Sequence, residues 1–226
     1  MEFRQYQKKI IEEGLSVLKT HRFLYLAMEV RTGKTLTSLG LADRLNCKNV
    51  LFITKKKAIS SIENDYKLLH PSYALQTINY ESLHKIDSLG WDMVICDEAH
   101  SMGAFPKPSK RAKQVKTLIK KENPYVILLS GTPTPESYSQ MYHQVYAIPS
   151  NPFAKYKNFY RFSDDYVNVT LRPIGGMSIR QYKDGSQKIL EKMKPFTISY
   201  TQAEAGFKVE TKEKILTVRM SEKTYH

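Results

Sequence analysis

The stretch "LAMEVRTGKTLTSL", residues 26–39, decides the fold that this sequence predicts. A largely apolar run at 22–30 overlaps the start of this stretch and has the length of a buried strand. The segment "KTLTSLGLADRL" at 34–45 overlaps its end and has the spacing of a helix. A strand, a glycine-containing loop and a helix in this order place the helix N-terminus, with its free N–H groups, at the end of the strand.

The residues between this strand and this helix have the chemistry of a phosphate-binding loop. Gly33 lets the backbone approach a phosphate closely, Lys34 reaches the β- and γ-phosphates, and the Thr35 hydroxyl can bind Mg²⁺. Met28 stands where the first glycine of the pattern GxxxxGK[ST] is expected. The order of strand, loop and helix nevertheless favours nucleotide binding.

The rest of the first 150 residues alternates strand-like and helix-like segments. Apolar runs at 49–54, 91–99 and 125–131 predict further strands, and helical spacing predicts helices over 2–18, 57–69, 109–121 and 135–148. Strands that alternate with helices indicate a mainly parallel α/β sheet. Ligands of such sheets bind at the carboxyl ends of the strands, where the polar residues of this sequence also fall.

Two of these strand ends carry polar residues suited to phosphate chemistry. In "VICDEAH", Asp97 is positioned to hold Mg²⁺ and Glu98 to orient and polarise an attacking water. The alternative is a helix N-terminus that carries two favourable acids. In "LLSGTPTPES", Ser130, Gly131 and Thr132 can bond across to the acidic motif, or they form a turn before a helix.

Composition favours a polyanionic partner and a reduced environment. Lys plus Arg number 35 and Asp plus Glu 22, a formal net charge of +13, which suits nucleic acid as well as a plain solvated surface. Cys47 and Cys96 lie in apolar segments and are expected to be reduced core residues of a cytoplasmic protein. No apolar run reaches the ~20 residues of a membrane span, and no membrane partner is expected.

The pattern changes after residue 150. The segment "FAKYKNFYRF" interleaves aromatic and basic residues, which either contact nucleic acid or, as their helical spacing favours, pack in the core. The segment "VTLRPIGGMSIRQYK" predicts two strands around Gly175 and Gly176, and its Arg172, Arg180 and Lys183 suggest a hairpin that guides DNA. A short helix over 186–193 completes a small α+β appendage near the C-terminus.

Six motifs in order over residues 3–137 resemble the N-terminal lobe of superfamily 2 DNA helicases and translocases, nearest to the Swi/Snf-like group. "FRQYQ" is similar to the Q motif, "VRTGKT" to motif I, "LFITKKKAISSIENDY" to motif Ia, "TINYESLHK" to motif Ib, "WDMVICDEAH" to motif II and "LLSGTPTPES" to motif III. The resemblance implies a three-layer RecA-like P-loop domain that uses ATP and Mg²⁺. It also implies three parts: the ATP-binding lobe at 1–150, an insertion or accessory segment at 151–200, and a strand and bridge toward a second lobe at 201–226.

The resemblance assigns a role to each matching residue. The catalytic residues it implies are Lys34, Asp97 and Glu98, and Thr35 and Asp97 would hold Mg²⁺. Nucleotide binding is implied for Arg4, Gln7, Arg31, Thr32, Gly33, Lys34 and Thr35. His100, Ser130, Gly131 and Thr132 would couple the nucleotide state to the grip on DNA. Nucleic-acid contacts are implied for Thr54, Lys55, Lys56, Tyr80 and Ser82, although "TKKK" is equally explained as a solvated helix start.

The implied activity is Mg²⁺-dependent ATP hydrolysis coupled to movement on double-stranded or branched DNA. Nothing after residue 137 resembles the second RecA-like lobe, which supplies an arginine finger, so the chain is expected to be part of a longer protein and to hydrolyse ATP poorly alone. The alternatives are an RNA helicase, a non-hydrolysing basic DNA-binding module and a motor subunit of a restriction or recombination complex. Arg31, at a position often occupied by glycine, suggests a phage source and the cytoplasm of a host cell.

Overall fold

A computed structural model describes residues 2–86 and 90–207, and its centre is a six-stranded sheet. The strands are β1 (Phe23–Met28), β2 (Asn49–Thr54), β3 (Ala74–Asn79), β4 (Met93–Cys96), β5 (Tyr125–Leu129) and, near the end of the described chain, β8 (Thr197–Tyr200). Their order is β3-β2-β4-β5-β1-β8, and every neighbouring pair is parallel. The predicted α/β fold with a mainly parallel sheet is confirmed.

Helices cover both faces of this sheet. They are α1 (Gln5–His21), α2 (Lys34–Arg44), α3 (Ile59–Leu69), α4 (Lys110–Glu122), α5 (Met141–Val145), α6 (Phe159–Tyr166) and α7 (Lys188–Met193). In β1, Leu24 and Leu26 pack with α1 and α2, whereas Phe23 and Tyr25 pack with α4, α5 and α6. Because side chains alternate between the faces and both faces are buried, the strands read as continuous apolar runs and the domain has three layers.

Two strands and one helix differ from the sequence prediction. Nothing in the sequence predicted β3 or β8, because both are edge strands with half-exposed side chains and neither contains a long apolar run. The helix predicted over 135–148 is shorter: a 3₁₀ turn at Tyr138–Gln140 precedes α5. The Ser137 hydroxyl accepts a hydrogen bond from the Ser139 N–H and so caps the start of this 3₁₀ turn.

The aromatic segment after residue 150 packs into the main core. Phe153, Phe159 and Phe162 are at most 2% exposed and share a hydrophobic cluster with β1 and β4. The prediction that these aromatic residues pack in the core is confirmed, while Tyr160 is exposed on the surface. The predicted hairpin is also present, as antiparallel strands β6 (Val167–Ile174) and β7 (Met177–Gly185) in a separate sheet.

Three further expectations concern cysteines, membrane spans and the C-terminal bridge. Cys47 and Cys96 are both buried and free, as predicted. Within residues 2–86 and 90–207, no helix has the length and apolar character needed to span a membrane. Of the bridge predicted over 201–226, the residues after 207 lie outside the described part of the chain.

Candidate functional site

The loop between β1 and α2 has the backbone geometry of a phosphate-binding loop. Gly33 is the N-cap of α2 and adopts a left-handed conformation with φ +78°. The N–H groups of the first turn of α2 have no carbonyl partner within the helix and therefore remain available to an anion. Thr32 shapes the loop from inside, because its hydroxyl donates a hydrogen bond to the Glu29 carbonyl at 2.6 Å.

The start of α1 lies directly against this loop. The Tyr6 hydroxyl donates a hydrogen bond to the Thr32 carbonyl at 3.0 Å, and the Gln7 side chain approaches the Gly33 carbonyl with Nε2 at 3.5 Å. Gln7 Oε1 also accepts from the Arg4 N–H at 2.9 Å. The predicted nucleotide-binding residues at 4–7 and 31–35 therefore come together, although 26 residues separate Gln7 from Gly33.

Arg4 and Arg31 extend from this junction toward solvent. The Arg4 guanidinium lies 5.8 Å from the centre of the Phe207 ring, and its side chain is exposed. Arg31 is exposed and has a left-handed backbone, with φ +66°. A glycine adopts this conformation without steric cost, which is a physical reason why similar sequences often have glycine where this chain has Arg31.

A segment that the sequence did not single out holds the other side of the loop. The Glu29 N–H donates to the Tyr200 carbonyl, and Gln202 binds both the Glu29 carboxylate and the Val30 carbonyl, at 2.8 Å each. The Tyr200 ring stacks on Tyr6 with centroids 4.7 Å apart. No sequence signal marked Tyr200 or Gln202, because Tyr200 ends the short strand β8, which has no apolar run, and Gln202 follows it.

Asp97 lies at the end of β4 with one carboxylate oxygen unpaired. Its Oδ2 accepts a hydrogen bond from the Thr54 hydroxyl at 2.8 Å, whereas the buried Oδ1 has no partner among the described residues. Burial raises the pKa of Asp97, and the Thr54 hydrogen bond and the nearby Lys34 charge oppose this rise. A buried carboxylate oxygen without a partner, close to a lysine in a phosphate-binding loop, fits a divalent cation that also binds a phosphate.

Glu98 and His100 connect the acidic motif to the segment after β5. Glu98 Oε1 lies 3.6 Å from Lys55 Nζ, and Glu98 Oε2 lies 3.4 Å from His100 Nδ1. The same His100 nitrogen is 3.0 Å from Ser130 Oγ, which accepts a hydrogen bond from the Thr132 N–H at 3.2 Å. The structure therefore joins His100, Ser130 and Thr132 in one hydrogen-bonded chain.

Two predicted nucleic-acid contacts need correction. Thr54 and Tyr80 are fully buried, and their hydroxyls bind the Asp97 carboxylate and the Asp97 carbonyl. Side chains in these positions cannot reach a nucleic acid, so both support the acidic motif instead. Lys55 is half-exposed and pairs with Glu98, whereas Lys56 is exposed. The Ser82 N–H donates to the Asn79 side chain, and the contacts predicted for Lys56 and Ser82 stay predictions.

The nucleotide loop, the acidic motif and the segment after β5 line one cavity of about 370 Å³. Lys34, Glu98, Gly131 and Thr132 contribute to its wall, together with Glu29, Val30 and Gln202. A second cavity of about 440 Å³, between β1, β8 and α7, is lined by none of the predicted site residues. The smaller cavity is therefore the candidate site, because it contains the charged groups that phosphate chemistry requires.

The three-layer parallel sheet and this loop define a RecA-like nucleotide-binding lobe. The family model described as SNF2-related domain matches residues 48–226, and the chain belongs to this family. A second model, described as Type III restriction enzyme, res subunit, matches residues 1–87. These matches do not test the suggested phage source.

One solved structure with a TM-score above 0.5 agrees with this fold. The Sulfolobus solfataricus SWI2/SNF2 ATPase core in complex with dsDNA is 18% identical with a TM-score of 0.68. That match covers 91% of this chain and 46% of the other, so this chain spans about half of that structure. The Type ISP restriction-modification enzyme LlaGI in complex with a DNA substrate mimic has 18% identity and a TM-score of 0.41, covering 59% of this chain and 18% of the other. Xpd4 of S. tokodaii has 14% identity and a TM-score of 0.39, and the match covers 95% of this chain and 61% of the other.

Proposed function

We propose that this chain is the ATP-binding N-terminal lobe of an ATP-dependent DNA helicase or translocase. The observation that carries the proposal is the single cavity lined by Lys34, Glu98, Gly131 and Thr132. These residues come from three separate loops, which the parallel sheet brings to one edge. Membership of the SNF2-related domain family supports the same function.

The loop before α2 and the acidic motif have definite tasks in this proposal. Lys34 and the free N–H groups of α2 bind the phosphates of ATP, and Gly33 lets the backbone approach them. Thr35 and the unpaired oxygen of Asp97 hold Mg²⁺, which when bound neutralises charge on the phosphates. Glu98 orients and polarises the attacking water. Glu98 is partly exposed, and its carboxylate lies beside Lys55 and His100.

Two further contacts explain how nucleotide and DNA would influence each other. The chain from Glu98 through His100 and Ser130 to Thr132 links the nucleotide cavity to the segment after β5. In this proposal Lys56 and Ser82, which follow β2 and β3 along the chain, bind phosphates of the nucleic-acid backbone. The net charge of +13 and the DNA-bound relative of similar fold support DNA as the partner.

Hydrolysis by the whole protein needs a second RecA-like lobe in this proposal. An arginine finger contributes about 10³–10⁵ in rate in related phosphoryl-transfer systems, and we infer that the second lobe supplies one here. The isolated chain then binds nucleotide weakly and hydrolyses it slowly or not at all.

The test measures Mg-ATP binding and turnover by the chain with duplex DNA, with RNA and without nucleic acid. Lys34→Ala removes a charged contact to phosphate and is expected to weaken ATP binding about 10- to 100-fold. Lys19→Ala, an exposed change in α1, serves as the matched control. Equal ATP binding by the chain and by Lys34→Ala would refute the nucleotide site. Brisk turnover would refute the need for a second lobe, and selective stimulation by RNA would favour an RNA helicase.

A second candidate is a motor subunit of a restriction complex. The match of residues 1–87 to the Type III restriction enzyme, res subunit, favours it. This candidate keeps the same ATP and DNA sites, and it differs in requiring a nuclease activity in the assembled complex. Cleavage of DNA that depends on both ATP and an intact Lys34 would support it, and DNA-stimulated ATP hydrolysis without any cleavage would exclude it.

A further inference from the structure

The hairpin of β6 and β7 exposes an unusual amount of apolar surface. Leu171 is 65% exposed, Met177 70% and Ile179 46%, and these are among the few large apolar side chains with such exposure in the described chain. The two strands pair with each other and with no other described strand. Because soluble proteins rarely leave such groups clustered in water, this tip is a candidate interaction surface.

Positive charges accompany these apolar groups on both faces of the hairpin. The register places Leu171 opposite Arg180 and Arg172 opposite Ile179, so each of these cross-strand pairs combines one apolar and one cationic side chain. Among the described residues, neither arginine forms an ion pair. The carboxylate of the hairpin, Asp184, lies at its base and accepts a hydrogen bond from Asn168. The tip is therefore apolar and cationic, without local compensation.

The base of the hairpin, unlike its tip, is firmly held. The Ser139 hydroxyl donates to the Tyr182 carbonyl at 2.7 Å, and a Cβ on Gly185 would meet the Ser139 nitrogen at 2.6 Å. Tyr182 is buried against the edge of the Phe159 ring. Ser139 closely follows the 130–132 segment that joins the candidate nucleotide site through His100. A rigid base and a free tip are the properties of a pin that acts on a partner.

We propose that the hairpin is a pin that binds the junction between single- and double-stranded DNA. Leu171, Met177 and Ile179 insert against unstacked bases, and Arg172 and Arg180 bind the flanking phosphates. Apolar side chains are used in this way to separate base steps, and arginine contacts to phosphates add affinity that depends on salt. The arginines on both faces of the hairpin favour a polyanion as its binding partner over an apolar protein surface. The inference rests on the proposed function, because it assigns the branched DNA structure that the lobe recognises.

The experiment compares binding of the 226-residue chain to a forked DNA and to a blunt duplex of equal length, by fluorescence anisotropy. 2-Aminopurine at the junction reports base unstacking in the same fork. Leu171→Ser/Met177→Ser is expected to remove the preference for the fork, about tenfold, and the rise in 2-aminopurine fluorescence. Arg172→Glu/Arg180→Glu is expected to lower the slope of log affinity against log salt by about 1.8.

Matched controls make the same kinds of substitution at positions outside the hairpin. Leu68→Ser removes another exposed leucine, on α3, and Lys19→Glu/Lys48→Glu makes the same charge change near the end of α1 and directly before β2. Both controls are expected to keep the fork preference. All these positions are exposed, and thermal unfolding checks that each variant folds.

The outcomes separate the pin from the proposed function. Wild-type binding to DNA with unchanged fork preference in the hairpin variants would overturn the pin and leave the DNA-binding lobe standing. No DNA binding by the wild-type chain would overturn both. Hairpin variants that alter the mass of the chain in solution, and not its DNA binding, would identify the tip as a contact between protein copies and overturn the pin.

Discussion

Replacement of Gly33 by alanine is expected to lower the free energy of unfolding by about 2 kcal/mol. The left-handed backbone at φ +78° costs an alanine about 1–2 kcal/mol. The new Cβ would lie 2.4 Å from Gln7 Nε2, so the Gln7 amide has to move, and loss of its bond to the Arg4 N–H costs about 1 kcal/mol more. The stiffer unfolded chain offsets about 0.4–1 kcal/mol. For a chain of this size, the melting temperature falls by about 4–8 °C.

Urea denaturation of four proteins tests this reasoning: wild type, Gly33→Ala, Gln7→Ala and the double variant. In the Gln7→Ala background no amide obstructs the new methyl group, so only the backbone cost of about 1 kcal/mol remains. The double-mutant cycle should therefore yield a coupling of about 1 kcal/mol between residues 7 and 33. Gly33→Ala could instead lower the free energy of unfolding by less than about 0.5 kcal/mol, or by the same amount with and without Gln7→Ala. Either result would refute close packing of Gln7 on the loop.

Three further predictions concern stability. Burial lowers the pKa of His143 from 6.5 to about 4, so its neutral form stabilises the fold above pH 6.5, and this stabilisation is lost as pH falls toward 4. Urea denaturation should show about 2 kcal/mol lost between pH 7 and pH 5, and a markedly smaller loss in His143→Gln. Phe162→Ala in the aromatic core should cost about 3–5 kcal/mol, against less than about 1 kcal/mol for the exposed Tyr160→Ala. At Arg31, where φ is +66°, a β-branched valine is strained and glycine is not. Arg31→Val should therefore lower the free energy of unfolding by more than about 1 kcal/mol, and Arg31→Gly should not lower it. Thermal melting measures both changes.

Local patterns predicted the centre of the sheet and the turn from β1 through Gly33 into α2 well. The runs that became β1, β2, β4 and β5 are apolar because both of their faces are buried, and that burial leaves a signal in the sequence itself. The edge strands β3 and β8 left no such signal, because their side chains are half-exposed and neither contains a long apolar run. Edge strands are therefore the part of this fold that local pattern could not predict.

The candidate site, like the fold, was predicted only in part from the sequence. Resemblance placed Thr54 and Tyr80 among nucleic-acid contacts, yet the structure buries both against Asp97. Which way a side chain at a strand end points depends on the neighbouring strand and on the turn that follows, and neither is encoded in the local motif. The contacts of Tyr200 and Gln202 with the phosphate loop depend on β8 pairing with β1, across more than 170 residues.

By itself, the sequence determined the α/β class, the loop around Gly33 and Lys34 and the acidic pair at Asp97 and Glu98, because each depends on residue type and local spacing. Only the tertiary structure decided that these groups share one cavity and that His100 reaches Ser130. It also decided that a hairpin with an uncompensated tip is anchored through Ser139. The physical reason is that hydrogen bonds and burial act between residues close in space, whereas sequence patterns report only on residues close along the chain.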